Sequence, residues 1–272
     1  MLKFLIFGDI VGKTGRKAVI KILPVLKRAF KPDLIIANAE NLAHGTGVTP
    51  KTLAEMETAG ISVFTGGDHI FAKPDAEKIF ARKDCPLLRP ANWPTTLGSG
   101  EKLLTVAKKR VLVINLVGRV FLGDKLAERG ILLQNPFAAI EKIIRKYADE
   151  KPTAILVDFH TEATSEQVAM GYFLDGRASC LWGTHTHIPT ADAQILKNGL
   201  GYITDVGMCG ARNTVLGVDK NIVINRFVND AKESFDWPEF NEATVNALYA
   251  EINPRTGRAV KIKLIQKQIQ IA

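Results

Sequence analysis

Short apolar runs alternate with amphipathic stretches through the first half of the chain. Leu2 to Phe7 and Leu34 to Ala37 are two such runs, and between them apolar residues recur at helical spacing from Val19 to Leu26. Apolar runs of this length are typical of strands buried on both faces, and their alternation with helices is typical of parallel sheets. The first half is therefore predicted to form βαβ units.

The same reasoning places the remaining elements. Thr49-Pro50 has the form of a helix N-cap followed by a first-turn proline, and Gly60 is a typical residue to follow the end of that helix. The other predicted elements are strands at 61–65, 154–159, 179–182, 221–228 and 258–270, helices at 74–80 and 135–147, an irregular stretch at 84–100, and a hairpin that joins 193–196 to 201–204 through Asn198-Gly199. We expect an α/β fold with mixed sheets packed in layers between helices. Without a repeat or a flexible linker, residues 1–272 are expected to form one domain.

Composition excludes several classes of protein. The 272 residues are 46% hydrophobic and 24% charged, which excludes a disordered or collagen-like chain. The apolar runs are too short to span a membrane, and the N-terminal run stops at Gly8-Asp9 before it reaches the length of a signal peptide. Three widely spaced cysteines form no CxxC pair, so a disulfide framework and a zinc ribbon are not expected. We expect a soluble cytoplasmic protein with reduced thiols.

Net charge adds a weak indication about partners. The 36 Lys and Arg residues exceed the 28 Asp and Glu residues, and a charge of +8 favours phosphate-bearing molecules. The densest basic run, Lys108 to Arg110, has no interleaved aromatic residues and is expected to be a solvated turn. A stable nucleic-acid partner is therefore not predicted.

Metal-capable side chains follow the apolar runs. Four of the five histidines lie at such positions. Because ligand sites in α/β sheets form outside the carboxyl ends of the strands, these residues are expected to meet at one edge. The set comprises Asp9, Glu40, Asn41, Asp68, His69, His160, His185 and His187.

The mixture of carboxylate, amide and imidazole groups indicates the kind of metal. It suits Mn²⁺, Fe²⁺ or Zn²⁺, whereas Ca²⁺ prefers oxygen ligands alone. The set is larger than a single tetrahedral site uses, so two ions are predicted, with Glu40 as the candidate bridge.

The order of these motifs resembles the calcineurin-like metallophosphoesterases. It resembles still more closely the YmdB-like branch, a family of bacterial phosphodiesterases that act on 2′,3′-cyclic nucleotides. The motifs that carry the resemblance are Gly8-Asp-Ile-Val-Gly12, Asn38-Ala-Glu-Asn41, Asp158-Phe-His-Thr-Glu-Ala-Thr-Ser165, Gly183-Thr-His-Thr-His-Ile-Pro-Thr190 and Thr204-Asp-Val-Gly207.

The resemblance implies a role for each residue of the set. Asp9, Glu40, Asn41 and His187 would hold one metal, and Glu40, Asp68, His160 and His185 the other. It implies the layered calcineurin-like fold, two divalent or mixed-valence ions, with iron or manganese favoured over zinc, and a homo-oligomer. The hypothesis for the reaction is attack on a small phosphodiester by a hydroxide on the metals, with His69 protonating the leaving alkoxide.

One position departs from the family pattern. Asp68 stands where the family has Asn, so Asp9, Glu40 and Asp68 place three negative charges against the four positive charges of two divalent ions. We expect tighter metal retention, or a preference for a more highly charged ion, and a less electrophilic centre.

Several interpretations stay open at the level of sequence. A phosphomonoesterase or nucleotidase would use the same centre, and a regulatory RNA-associated protein would keep the metal for stability alone. His44, in a Gly-rich loop, is a candidate substrate contact. Trp93, Asn92 and Arg89 are expected to pack the 84–100 stretch onto the domain, with nucleobase stacking as the alternative.

Overall fold

The structure is a computed structural model that describes residues 1–271. The strands are β1 (Leu2–Asp9), β2 (Leu34–Asn38), β3 (Val63–Thr65), β4 (Glu101–Val106), β5 (Lys109–Val117), β6 (Ala154–His160), β7 (Cys180–Thr184), β8 (Gln194–Ile195), β9 (Gly201–Ile203), β10 (Gly210–Ala211), β11 (Glu242–Ile252) and β12 (Ala259–Gln270). The helices are α1 (Gly12–Phe30), α2 (Pro50–Ala59), α3 (Ala76–Phe80), α4 (Leu122–Ala127), α5 (Pro136–Lys146), α6 (Thr164–Leu174) and α7 (Lys220–Asn229).

The strands form two mixed sheets of six strands each. In the first sheet β1, β2 and β3 are parallel neighbours, β11 runs antiparallel to β1, and β10 and β12 both pair with β11. In the second sheet β5, β6, β7 and β9 are parallel neighbours, with β4 and β8 as antiparallel edge strands. The fold class expected from the sequence, mixed sheets layered with helices, is confirmed.

Alternating side chains of each strand explain the layers. Phe4 and Ile6 of β1 lie in an apolar core that also contains residues of β5, β6 and β7, so this core is shared by the two sheets. Leu5 and Phe7 point the other way, into a second core with α1 and α2. A third core joins β5 and β6 to α5 and α6, which gives the order helix, sheet, sheet, helix.

Several local predictions are confirmed. Thr49 caps α2 in a capping box with Thr52, and Gly60 follows this helix with a positive φ of 105°. The predicted hairpin forms between β8 and β9, and β12 spans the predicted C-terminal strand.

The three cysteines are free within the described residues, and no helix there is long and apolar enough to cross a membrane.

The prediction of a strand at 221–228 is wrong, because this segment is helix α7. Asp219 caps it by accepting hydrogen bonds from the backbone N–H groups of Asn221 and Ile222. None of the residues of α7 is buried, so its alternating apolar side chains do not pack into a sheet. Strands β4, β10 and β11 and helices α4 and α6 were not predicted.

Candidate metal centre

The predicted ligands meet where the carboxyl ends of both sheets come together. In the first sheet, β1 ends at Asp9, while Glu40 and Asp68 lie in the loops that follow β2 and β3. In the second sheet, β6 ends at His160, and His185 directly follows β7. Because the parallel strands within each sheet end at one edge, side chains separated by long stretches of sequence become neighbours.

Four residues form a compact group that can hold a metal ion. Candidate ligand atoms of Glu40, Asp68, His160 and His185 all lie within 4.8 Å of one another. Nε2 of His160 is 3.1 Å from Oε1 of Glu40 and 3.3 Å from Oδ1 of Asp68. Nδ1 of His185 lies 3.0 Å from Nε2 of His160. A Cβ at Gly67 would lie 2.0 Å from Oε2 of Glu40, so the glycine leaves the room that this approach requires.

Asp9, Asn41 and His187 lie beside this group. Oδ1 of Asp9 and Oδ1 of Asn41 are both buried without a hydrogen-bond partner within the described residues. Nε2 of His187 is 3.9 Å from Oδ1 of Asp9, and Nδ2 of Asn41 donates to the carbonyl of Gly45, which fixes the amide. Buried oxygens without partners are costly unless a cation or water satisfies them, so these residues fit a second metal ion.

The buried charges of the centre perturb one another. Burial raises the pKa of Asp9 to about 6. Burial would also raise the pKa of Glu40, but the charge of His160 and hydrogen bonds from His160 and His69 hold it well below its usual value. Burial would lower the pKa of His160, yet the Glu40 charge and contacts with Asp68 and Glu40 raise it well above the usual value. Bound cations would replace these contacts between the histidine and carboxylate side chains.

A chain of hydrogen bonds orients His160. Its Nδ1 lies 2.8 Å from Oγ1 of Thr184, and that hydroxyl donates to Oδ1 of Asp158 over 2.8 Å. Since the hydroxyl proton points to Asp158, the hydroxyl oxygen accepts from Nδ1–H of His160. Nε2 is then the ring nitrogen that faces Glu40 and Asp68, and it would bind a metal after releasing the proton that it shares with these carboxylates. Burial raises the pKa of Asp158 itself to about 7.

The His-x-His turn is held in an unusual backbone conformation. His185 and His187 have φ values of 105° and 65°, in a region that side chains disfavour. Asp205 stabilises the turn, because its Oδ2 accepts hydrogen bonds from the N–H and the hydroxyl of Thr186, over 2.9 and 2.8 Å. Its Oδ1 accepts from the N–H of Gly207 over 2.6 Å.

Replacing Asp205 by Ala is therefore expected to weaken metal binding by about 10- to 100-fold, as loss of a residue that orients ligands does elsewhere. Isothermal titration with Mn²⁺ would measure the change. Asp175→Ala is the matched control, since Asp175 also accepts backbone N–H groups, from Asn198 and Leu200, but is not among the predicted site residues. Equal Mn²⁺ affinities for Asp205→Ala and the wild type would contradict the role assigned to Asp205.

His69 lies at the mouth of the centre. Its Nδ1 is 3.3 Å from Oε1 of Glu40, and its side chain is 39% exposed. The hydrogen bond with Glu40 is the main cause that raises the pKa of His69 to about 8. Nε2 of His185, in turn, lies 2.9 Å from Oε2 of Glu162.

The structure places His44 on the surface, next to Gly45 and Thr46 of the cavity lining, and Trp93 in an apolar core. His44 is exposed, and it is absent from the lining of the cavity that contains the candidate ligands. Trp93 is 7% exposed and packs in a core with Val117 and Leu122, so the expectation that it packs the 84–100 stretch onto the domain is confirmed. Arg89 donates to the carbonyls of Leu97 and Thr95 in the same stretch.

The cavity above the centre contains residues that sequence reasoning missed. It has a volume of about 300 Å³, and its lining includes Glu40, Asn41, His69, His185 and His187 together with Phe235 and Trp237. A larger cavity, of about 650 Å³, lies around Phe121 and Phe137 and contains none of the candidate ligands. The sequence feature that could have indicated Phe235 and Trp237 is the pair of aromatic residues in Phe235-Asp-Trp237, within an otherwise polar segment.

Comparison with known proteins gives first the class of the fold and then the family of the chain. The fold is that of the calcineurin-like phosphoesterases: it resembles YfkN from Bacillus subtilis with a TM-score of 0.59 at 14% identity, over 99% of this chain and 90% of that one. Residues 5–265 match the family described as YmdB-like protein, and the chain belongs to that family.

Individual relatives agree with this placement. The chain is 40% identical over 266 residues to the 2′,3′-cyclic-nucleotide 2′-phosphodiesterase of Bacillus subtilis (strain 168), covering 97% of this chain and 96% of that protein. It also resembles the crystal structure of a novel phosphatase from Mycoplasma pneumoniae, with a TM-score of 0.89 and 33% identity over 99% of this chain and 94% of that chain.

Proposed function

We propose that this protein is a metal-dependent phosphodiesterase that hydrolyses 2′,3′-cyclic nucleotides. The observation that carries the proposal is the pair of donor groups that meet at Glu40 on the floor of a cavity of about 300 Å³. The Bacillus subtilis relative, with the activity in its name, supports the substrate class.

In this proposal the two donor groups each hold one divalent ion. Glu40, Asp68, His160 and His185 hold one ion, and Asp9, Asn41 and His187 hold the other together with Glu40. Bound divalent ions would neutralise the phosphate oxygens and acidify water for attack on phosphorus. His69, whose pKa is raised to about 8, would give a proton to the departing ribose oxygen.

The proposal also includes the resident metal, the domain organisation and the oligomeric state. Iron or manganese is proposed as the resident metal from the family resemblance, and the imidazole and carboxylate groups of both donor groups suit these metals as they also suit zinc. The apolar core shared by the two sheets supports residues 1–272 acting as one domain. A homo-oligomer is proposed from the family resemblance.

The decisive test is hydrolysis of 2′,3′-cyclic AMP by the Mn²⁺-loaded protein, beside p-nitrophenyl phosphate and bis-p-nitrophenyl phosphate. We expect the two diesters to be hydrolysed faster than the monoester, and adenosine 3′-phosphate to be the product, as the name of the relative indicates. Preference for the monoester would favour a phosphomonoesterase or nucleotidase. Inactivity on all three, with metal bound, would favour a metal-stabilised scaffold.

Replacing Asp68 by Asn removes one of three negative charges and is expected to weaken metal retention by at least about tenfold. Turnover per metal-loaded molecule should rise, because the centre becomes more electrophilic. Metal analysis after dialysis and a diesterase assay at saturating Mn²⁺ would measure the two effects separately. Unchanged retention and unchanged turnover would remove any special role for Asp68.

Metal binding is expected to stabilise the protein more at about pH 7.5 than at about pH 5.5. Burial raises the pKa of Asp9 to about 6, and the Glu40 charge raises the pKa of His160. Both groups therefore hold protons at acidic pH that a metal must displace. The apparent affinity should rise about tenfold per pH unit for each proton released. Thermal unfolding with and without Mn²⁺ at both values would test this, and a smaller shift at the higher pH would contradict it.

A further inference from the structure

An irregular segment crosses the mouth of the cavity between α7 and β11. This strap, residues 230–241, is fixed at several points. The hydroxyl of Thr14 donates to the carbonyl of Pro238 over 3.3 Å, and Nζ of Lys13 lies 2.8 Å from Oε2 of Glu239. The N–H of Asp219 donates to the carbonyl of Asp236 over 2.9 Å. The strap is therefore tied to α1 and to the cap of α7.

Two aromatic side chains of the strap line the cavity. The rings of Phe235 and Trp237 lie edge to face, with centroids 6.1 Å apart and an interplanar angle of 78°. The guanidinium of Arg226 lies 4.3 Å from the centroid of the Phe235 ring and holds that ring from α7. The cavity thus has a polar floor of candidate metal ligands and an aromatic wall.

The loop that follows β2 makes room for the indole. A Cβ at Gly45 would lie 2.0 Å from Nε1 of Trp237, and Gly45 has a φ of +72°, which glycine adopts without strain. Gly45 also accepts the hydrogen bond from Asn41. Trp237 is therefore packed directly against the loop that carries a candidate ligand.

We propose that Phe235 and Trp237 form the subsite for the base of a nucleotide substrate, an inference that rests on the proposed function. A nucleotide has one anionic end and one flat aromatic end, and this cavity offers a matching floor and wall. Aromatic side chains bind any base through its π face, so the subsite would accept both purines and pyrimidines. A volume of about 300 Å³ suits a mononucleotide and excludes a duplex.

Kinetics can separate base binding from a purely structural role of the strap. The substrates are 2′,3′-cyclic AMP and glycerol 1,2-cyclic phosphate, which has the same five-membered cyclic diester but no base. In Trp237→Ala and Phe235→Ala we expect KM for the nucleotide to rise about tenfold with little change in kcat. Hydrolysis of the glycerol diester should be unaffected, and Trp237→Phe should restore most of the affinity. Phe227→Ala, at an 84% exposed position on α7, is the control and should match the wild type.

A binding measurement keeps the inference testable without turnover. The chain has three tryptophans, and Trp93 and Trp182 are 7% and 0% exposed, so quenching by a bound base would report on Trp237. In Zn²⁺-loaded protein, adenosine 3′-phosphate should quench the fluorescence and glycerol phosphate should not, and Trp237→Phe should abolish the quenching.

Two results would overturn the subsite: equal losses on both cyclic diesters, or nucleotide affinities that are the same in all variants. Failure of the proposed function would look different. In that case the wild type would hydrolyse neither cyclic diester, while the quenching assay would still decide whether the cavity binds a base.

Discussion

Replacing His160 by Ala is expected to lower diesterase activity by at least about 100-fold. It should also release the metal ion that Asp68 and His185 would hold together with His160. His160 is fully buried, and its Nε2 lies within 3.3 Å of both Glu40 and Asp68. Metal content by mass spectrometry and turnover of bis-p-nitrophenyl phosphate would measure the two losses.

The effect on metal must be separated from an effect on folding, because removing one partner of a buried charged pair costs about 3–5 kcal/mol. Asp9→Asn provides a second variant of nearly equal size, and Oδ1 of Asp9 accepts no hydrogen bond within the described residues that the change would break. It should fold and yet lose activity. Asp175→Ala, outside the predicted site residues, should retain both metals and activity. A folded His160→Ala protein with full metal content would refute the proposed ligand set.

The convergence of the site was predictable because it follows from strand direction. Asp9, Asp68 and His160 each come at or just after the end of a parallel strand, and parallel strands end at one edge whatever the sequence between them. The hydroxyl that links Asp158 to His160 was not predictable. That this hydroxyl is Thr184 depends on the register of β6 against β7, where Asp158 is opposite Trp182 and His160 is opposite Thr184.

Two of the errors, at α7 and at β11, lie in the last third of the chain and have different physical origins. The apolar residues of α7 are exposed or half-buried, so their spacing does not follow a buried helix face. Their alternation along the sequence was therefore compatible with a strand. Strand β11 contains Ala, Leu and Glu residues that favour helices, yet pairing with β1 and β12 overrides that preference. Because the strap lies between these two elements, its position over the cavity could not be inferred.

Replacing His69 by Gln is expected to lower kcat for 2′,3′-cyclic AMP by about 100- to 10,000-fold while metal content is retained. His69 lies outside the group of four candidate ligands, and its half-exposed ring faces the cavity. A general acid matters most when the leaving group is a poor one. The loss should therefore be much smaller for bis-p-nitrophenyl phosphate, whose leaving phenolate needs no proton.

The pH dependence gives an independent test of the same role. The hydrogen bond with Glu40 raises the pKa of His69 to about 8, so the ring carries a proton at neutral pH and loses it as the pH rises through that value. The kcat of the wild type should fall on the alkaline side, and His69→Gln should lack this limb. A metal held by Glu40 would weaken the hydrogen bond between Glu40 and His69 and would move this alkaline limb to lower pH. Equal losses on both diesters, with metal released, would instead make His69 a structural residue of the metal centre.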